Sequence, residues 1–457
     1  MSDAPATHRD PSPHVLLVPA WWPSPEQPTA GVFNVDLARA LAAGGMRVGV
    51  IFPDLVSLRH LRRGAGYSGI PALLRPRVTI EELPASVAGS SPEPARSGSP
   101  AIAYAEGAER GSAKRVTGVR VRGLHTALGS PRRHMRGFHR RLRRGWFEYV
   151  ARHGRPDLLH ALCAIPAGWA ALALRDEIAF EPAAAPGPTA PGGTSRRMPV
   201  LITEHTGPFA LALNPPAAGA MTRSALARAD ALAAVSSHLA SQMRAAGIDR
   251  PIEIVGNPLG DEWTFRPPPP RERDTGNRTV IHIAFVGRLT VEKGLRELAA
   301  SAARLAESPR WLFHWHLVGD GLLRGELDRF FVSLAGCAVA TFHGERPRES
   351  VREVVAAAHL LALPSHGETF GMAAAEALAL GRPVVATRGT AVEWLIGPED
   401  GALVDRGDTA GLAEAILRIV DRYDAWDFAA ISRRARQRCS ADSIARDYLA
   451  LYRRLLA

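Results

Sequence analysis

Lysine is almost missing from this chain: of 56 basic residues only Lys114 and Lys293 are lysines, and arginine supplies nearly all the positive charge. Cysteine is scarce too. Cys163, Cys337 and Cys439 are odd in number and far apart, which argues against a disulfide framework or a cysteine zinc site and fits a reducing compartment. All three are expected to be packing residues. No apolar run reaches the roughly 20 residues of a membrane-spanning helix, and the longest, 161–174, is broken by Pro166 and Gly168. The first residues, MSDAPATHRDPSP, carry acids and prolines and no apolar signal region, so a cytoplasmic location is expected. No short repeat of solenoid type is present.

What is there is a chain of 457 residues, 46% hydrophobic, long enough for two large domains with full cores. The net charge of +11 raises the question of nucleic acid, but much of it is local. Between Arg110 and Arg155 fourteen basic residues face one acid, Glu148. Within that stretch Met135, Phe138, Leu142, Trp146, Tyr149 and Val150 recur at helical spacing, and arginines 132, 133, 136, 140, 141, 143 and 144 fill most other positions. The pattern predicts a basic amphipathic helix over 132–150. It suits a surface helix with its apolar side on the core, or attachment to anionic lipid headgroups as a peripheral protein of the inner membrane face. No specific nucleic acid is expected.

Short apolar runs alternate with helix-length segments throughout, the pattern of doubly wound α/β domains. Residues 1–13 are a flexible N-terminus. Residues 14–264 form one Rossmann-like domain, with flexible insertions rich in Ala, Pro, Gly and Ser near 85–115 and 181–197. A linker at 265–278 contains four consecutive prolines. A second domain covers 279–438, with strands near 281–286, 313–318, 339–342, 360–363, 383–386 and 402–404. The last segment, 439–457, is expected as a helix packing back toward the first domain.

Several strand-to-helix loops carry chemistry. In PSHGETFGMAAAEALALGRPVVAT, residues 364–387, Glu368 sits in a loop and Glu376 on the helix that follows. Such loops lie at the carboxyl ends of parallel strands, where ligands bind, and the amides of Phe370, Gly371 and Met372 would face one. Carboxylates that accept from sugar hydroxyls, beside amides that donate to anionic oxygens, suit a phosphorylated polyol. A second such loop, Arg288 to Gly294, brings two cations, the fork of Arg288 and the point charge of Lys293, able to neutralise a diphosphate leaving group. In the first βαβ unit Gly31 either lets the backbone approach a phosphate or caps the helix. His205 ends a strand, where it serves as a packing or capping residue or as a ligand contact.

Together, FVGRLTVEKG at 285–294, LVGDG at 317–321, FHGERP at 342–347 and SHGETFGMAAAEALALGRPVVAT at 365–387 resemble the retaining glycosyltransferases of family 4. Weaker marks are PTAGVFNVDLARAL around Gly31, PDLLHA at 156–161, TEHTG at 203–207, AVSSH at 234–238 and Gly256-Asn257-Pro258. The resemblance covers nearly the whole chain and implies the GT-B fold: α/β, two doubly wound Rossmann-like domains with an interdomain cleft. It implies that Arg288 and Lys293 hold the donor diphosphate, that Glu368 with the amides of Phe370 and Gly371 contacts the donor sugar, and that Glu376 takes the ribose hydroxyls. Gly31 would face the phosphates and His205 the donor sugar. The catalytic set is then Arg288, Lys293, His205 and Glu368, with Gly31, Phe370, Gly371, Met372 and Glu376 binding donor. At Gly389-Thr390-Ala391-Val392-Glu393 the sequence departs from the paired glycines that relatives often place before the acid.

The implied reaction moves a sugar with retention from a nucleotide-sugar, a UDP-sugar in preference to a GDP-sugar, to a hydroxyl acceptor such as a polysaccharide or glycolipid precursor. No cofactor is implied. No Asp-x-Asp pair occurs, so the catalytic site is expected to need no metal. The phosphorylases of the same fold carry pyridoxal phosphate on a lysine, and neither lysine is free for that. An epimerase of the same architecture would convert the donor with no acceptor present. The alternative from another class is a non-catalytic protein that binds nucleotide-sugar, or a scaffold using the basic helix on membrane or nucleic acid.

Overall fold

The computed structural model describes residues 12–24, 27, 29–57, 77–84, 115–125, 130–179, 197–334 and 336–457. The N-terminus and both insertions expected near 85–115 and 181–197 lie outside these residues, apart from their edges.

The first domain runs β1 (His14–Pro19), α1 (Val32–Ala43), β2 (Arg47–Ser57), β3 (Arg77–Pro84), β4 (Arg115–His125), α2 (Pro131–His153), β5 (Leu158–Leu162), α3 (Trp169–Ile178), β6 (Val200–Glu204), α4 (Pro216–Arg228), β7 (Ala231–Ala234), α5 (Ser237–Ala245) and β8 (Glu253–Ile254). Its eight strands lie in the order β3-β4-β2-β1-β5-β6-β7-β8, all parallel except for β3 against β4. The buried strand β1 is apolar along its length because parallel strands are covered on both faces. Strands β3 and β4 were not expected. In β4 the arginines alternate with Val119 and Val121, so one face is buried in the core while Arg120 pairs with Asp54.

The second domain runs β9 (Thr279–Val286), α6 (Leu295–Ala306), β10 (Trp311–Val318), α7 (Arg324–Ser333), β11 (Ala338–Gly344), α8 (Arg348–Ala356), β12 (Leu360–Leu363), α9 (Met372–Ala379), β13 (Val384–Thr387), β14 (Gly401–Val404), α10 (Thr409–Asp421) and α11 (Phe428–Arg438). Its six strands are all parallel, in the order β11-β10-β9-β12-β13-β14. In each sheet the strand order reverses at the first strand, β1 and β9, and the crevice beyond such a reversal is where ligands bind in open parallel sheets. The loops after β1 and β9 begin at these two points.

Residues 265–272 have no regular structure and are held to the second domain, and 273–279 fold back in a tight turn onto the start of β9. The buried guanidinium of Arg382 donates to the carbonyls of Arg266 and Pro267, and Arg266 N donates to Leu380 O. The final helix, α12 (Ala441–Leu456), packs on α1, and its Ile444, Tyr448, Leu451 and Tyr452 are buried in one cluster with Val15, Leu17 and Leu41. Each such side chain contributes on the order of 1.5–3 kcal/mol by leaving water. Tyr452 Oη lies 2.7 Å from His160 Nδ1, which ties this helix to β5.

Helix α2 has the predicted two faces. Met135, Phe138, Leu142, Trp146 and Tyr149 are buried, while Arg132, Arg133, Arg136, Arg140, Arg143 and Arg144 are exposed. Arg141 instead turns back and donates to Gly137 O. Cys163 and Cys439 are buried as expected, but Cys337 is exposed, because it falls in the turn between α7 and β11 rather than on a packed element. Among the described residues no helix is long and apolar enough to cross a membrane.

Candidate active site

The loop after β9 and the loop after β12 are pressed together. Gly294 caps α6 at φ 67°, and a Cβ there would stand 1.9 Å from Pro364 O, so only glycine fits. This close approach sets Lys293 against Glu368: Nζ donates to Oε1 across 2.6 Å, with both side chains mostly buried. The Glu368 loop is fastened on three sides. His366 N donates to Glu292 O at 2.9 Å, Ala391 N donates to Glu368 O at 3.2 Å, and Ser236 Oγ of the first domain donates to Thr369 O at 2.6 Å. Ala391 belongs to the segment that departs from the paired glycines, so that segment supports the carboxylate loop directly.

Gly371 caps α9 at φ 92°, packed against Val392. The amides of Phe370, Gly371 and Met372 have no backbone acceptor among the described residues, and they open at the positive end of the helix. Phe370 itself is buried, 5.4 Å from the Trp394 ring, so its backbone rather than its side chain is available.

One turn along α9, Glu376 meets a residue that the sequence did not single out. Arg348, the first residue of α8, lies 2.7 Å from Asp36 of α1, 3.0 Å from Glu262 and 3.4 Å from Glu376, above the face of Trp263. One guanidinium thus gathers three carboxylates from both domains. Burial raises Glu376 to a pKa of about 7 and Asp36 to about 6, with Arg348 opposing the shift in each. Asp36 and Arg348 are 312 positions apart, and no local pattern in either segment points to the other.

Across the cleft, Glu204 at the end of β6 accepts from the amides of Ala164, His205 and Thr206, which fixes the loop that carries His205. Both ring nitrogens of His205 are buried and have no hydrogen-bond partner among the described residues. Burial lowers its pKa to about 3, so the ring is neutral at physiological pH and can donate from one nitrogen and accept at the other. Its ring lies 5.0 Å from Phe33, on α1 two residues past Gly31. Gly31 is αL at φ 68°, and a Cβ there would sit 2.3 Å from Trp21 O. Gly207 closes on Thr369, where a Cβ would meet the hydroxyl at 2.1 Å. The His205 and Glu368 loops therefore touch.

Arg288 stands apart from this contact network. Its side chain is 73% exposed and paired with Glu292 at 3.2 Å. On the first-domain side a cavity of about 220 Å³ is bounded by Trp21, Trp22, Phe52, Asp54, His134 and Phe138.

Residues 30–262, half of the chain, match the model of the family described as glycosyltransferase family 4, and residues 281–422 match that of glycosyl transferases group 1. The chain belongs to glycosyltransferase family 4. Among family relatives it is 29% identical over 275 residues to the putative teichuronic acid biosynthesis glycosyltransferase TuaC of Bacillus subtilis, covering 58% of this chain and 61% of that one. It is 33% identical over 180 residues to the D-inositol 3-phosphate glycosyltransferase of Corynebacterium kroppenstedtii, covering 36% of this chain and 40% of the relative. The fold is that of sucrose-phosphate synthase from Thermosynechococcus elongatus (TM-score 0.63, 18% identity, 97% of this chain and 99% of that one). It is equally that of Anabaena HepE solved with UDP (TM-score 0.60, 15% identity, 96% and 100%). Both sheets of this family 4 chain thus form the two Rossmann-like domains of a GT-B protein.

Proposed function

We propose that the protein transfers a sugar, with retention, from a nucleotide-sugar to a hydroxyl acceptor. The observation that carries this is the Lys293–Glu368 contact, a cation and a carboxylate brought together by two loops at a sheet's switch point beside unspent helix amides. Solved HepE holds UDP or UDP-glucose on the same fold, which supports a UDP-sugar as donor. The diphosphate would take the Arg288 and Lys293 cations together with the Gly31 backbone. The sugar would take Glu368, the Phe370 and Gly371 amides and His205, and the ribose would take Glu376, alongside Met372 at the helix start.

The acceptor oxygen forms its bond to the anomeric carbon on the face from which the phosphate oxygen departs, and the acceptor proton passes to the leaving diphosphate. No side chain is required as nucleophile. Catalysis then rests on position and on cationic stabilisation of the leaving group, with no metal at this site. Trp21, Trp22 and Phe52 around the first-domain cavity offer the apolar faces that sugar rings pack against, and we place the acceptor there.

A thermal-shift series with UDP- and GDP-sugars tests the donor assignment, since ligand at a hundred times its Kd stabilises by about 2.7 kcal/mol. UDP-sugars are expected to raise Tm in wild type and not in Glu376→Gln, with the same rise in EDTA. No rise with any nucleotide-sugar would overturn the assignment, and loss of turnover in EDTA that Mg²⁺ restores would overturn metal independence.

The exposed arginines of α2 support attachment to an anionic membrane surface that carries a lipid-linked acceptor. Replacing Arg136, Arg140 and Arg144 with glutamine is expected to weaken binding to phosphatidylglycerol vesicles more than tenfold, at about 1 kcal/mol per arginine near the surface. Equal sedimentation of wild type and variant with vesicles would remove the membrane from this reading.

A further inference from the structure

Five histidines share one region of the second sheet. His282 lies on β9, His314 and His316 on β10, His343 on β11, and His359 just before β12. In the parallel register His314 stands beside His282, and residues i and i+2 of one strand face the same way, so the first three form a triangle on one face. Their ring centroids are 4.3 Å apart for His314 and His316, 5.2 Å for His282 and His314, and 5.1 Å for His282 and His316. One nitrogen from each lies within 4.8 Å of the other two, and His282 Nδ1 is 2.9 Å from His316 Nε2. Three imidazoles on one tetrahedral ion, with metal–nitrogen bonds of about 2.0–2.1 Å, hold their nitrogens roughly 3.3 Å apart. Small side-chain rotations would reach that spacing.

The surroundings are those of ligands rather than of isolated packing residues. His316 approaches His282 through Nε2, and its Nδ1 is 3.1 Å from His343 Nε2, which can accept from it in the outer position that a carboxylate, carbonyl or water usually fills behind a metal-bound histidine. His314 Nε2 lies 2.8 Å from Thr341 Oγ1. The triangle is half-buried, and Val339, beside His314 on the edge strand β11, is 38% exposed, so an ion can enter from that side.

We propose that His282, His314 and His316 bind one transition-metal ion of the zinc, cobalt or nickel class, with His343 as the outer partner of His316 and a fourth coordination position open to water. Imidazole donors suit these ions and not magnesium or calcium. The ion would strap β9 to β10, the two strands that lead into the Arg288–Gly294 and Gly319–Gly321 loops. This site goes beyond the transfer reaction, and its detection requires no substrate.

The test uses the full chain without a histidine tag, stripped with EDTA and returned to Zn²⁺ or Co²⁺. One retained zinc per chain, tetrahedral Co²⁺ absorption and a rise in Tm with Zn²⁺ are expected. Binding is expected to be abolished in the His282→Gln/His316→Gln double variant and weakened about 10–100-fold in His343→Gln, which leaves all three ligands in place. Failure of the stripped wild type to retain metal would overturn the proposal, as would the same affinity in His343→Gln and wild type or binding that survives the double variant.

Discussion

A Lys293→Ala protein is expected to release nucleoside diphosphate from its donor about 10²–10³-fold more slowly than wild type, the loss that follows removal of one well-placed charge-stabilising donor. The effect should fall on kcat more than on donor affinity, because the charge on the departing diphosphate grows in the transition state. Lys293 Nζ is held by Glu368 at 2.6 Å, so the ammonium is positioned before any donor arrives. Lysine suits this contact as a compact cation, whereas the broader fork of arginine does not, so Lys293→Arg should recover only part of the activity. Steady-state assay of diphosphate release decides the point. An unchanged kcat would leave the leaving-group charge to Arg288, which is exposed and paired with Glu292.

Replacing Arg348 with methionine is expected to lower stability by about 3 kcal/mol at pH 8, the lower end of the range for breaking a buried ion pair, because Arg348 and Glu262 still reach solvent. The variant would leave Asp36, Glu262 and Glu376 facing one another without a cation. The sign of the pH dependence follows from the raised values, about 6 for Asp36 and about 7 for Glu376. Carboxyls raised in the folded state favour folding most where both folded and unfolded forms are protonated, and that contribution fades as pH climbs through 6 and 7. Without Arg348 both values rise further. The difference between variant and wild type should therefore be small near pH 4 and full by pH 8, as urea melts across this range would show. A difference independent of pH would mean that the loss comes from Trp263, on whose face Arg348 packs.

The alternation of short apolar strands and helix-length segments was enough to read doubly wound α/β domains, because parallel strands buried on both faces look alike wherever they occur, whereas the GT-B fold came from the resemblance carried by the loop motifs. Strand β4 escaped notice because its arginines joined a run read as a basic region. The alternation of Val119 and Val121 with Arg120 and Arg122 was the signal that could have found it. Lys293 and Glu368 were each legible as loop residues, but their contact depends on the approach of Gly294 to Pro364, which no local pattern encodes. Arg348 was not legible for the same reason. It lies at the start of an ordinary amphipathic helix, and its partners come from elements that only tertiary structure brings near. The three histidines of the triangle occupy alternate positions of ordinary strands, and their grouping depends on the register between β9 and β10.

Helix α12 has a consequence for synthesis. It follows the whole second domain in the chain, yet Ile444, Tyr448, Leu451 and Tyr452 share a core with Val15 and Leu17 of the first strand. A ribosome-bound chain that has completed β8 still lacks this cover, and the apolar surface beneath it waits through the whole of the second domain's translation. The first domain is thus completed only after the second has been made. A nascent chain stalled before residue 441 is expected to expose that surface to chaperones or to other chains.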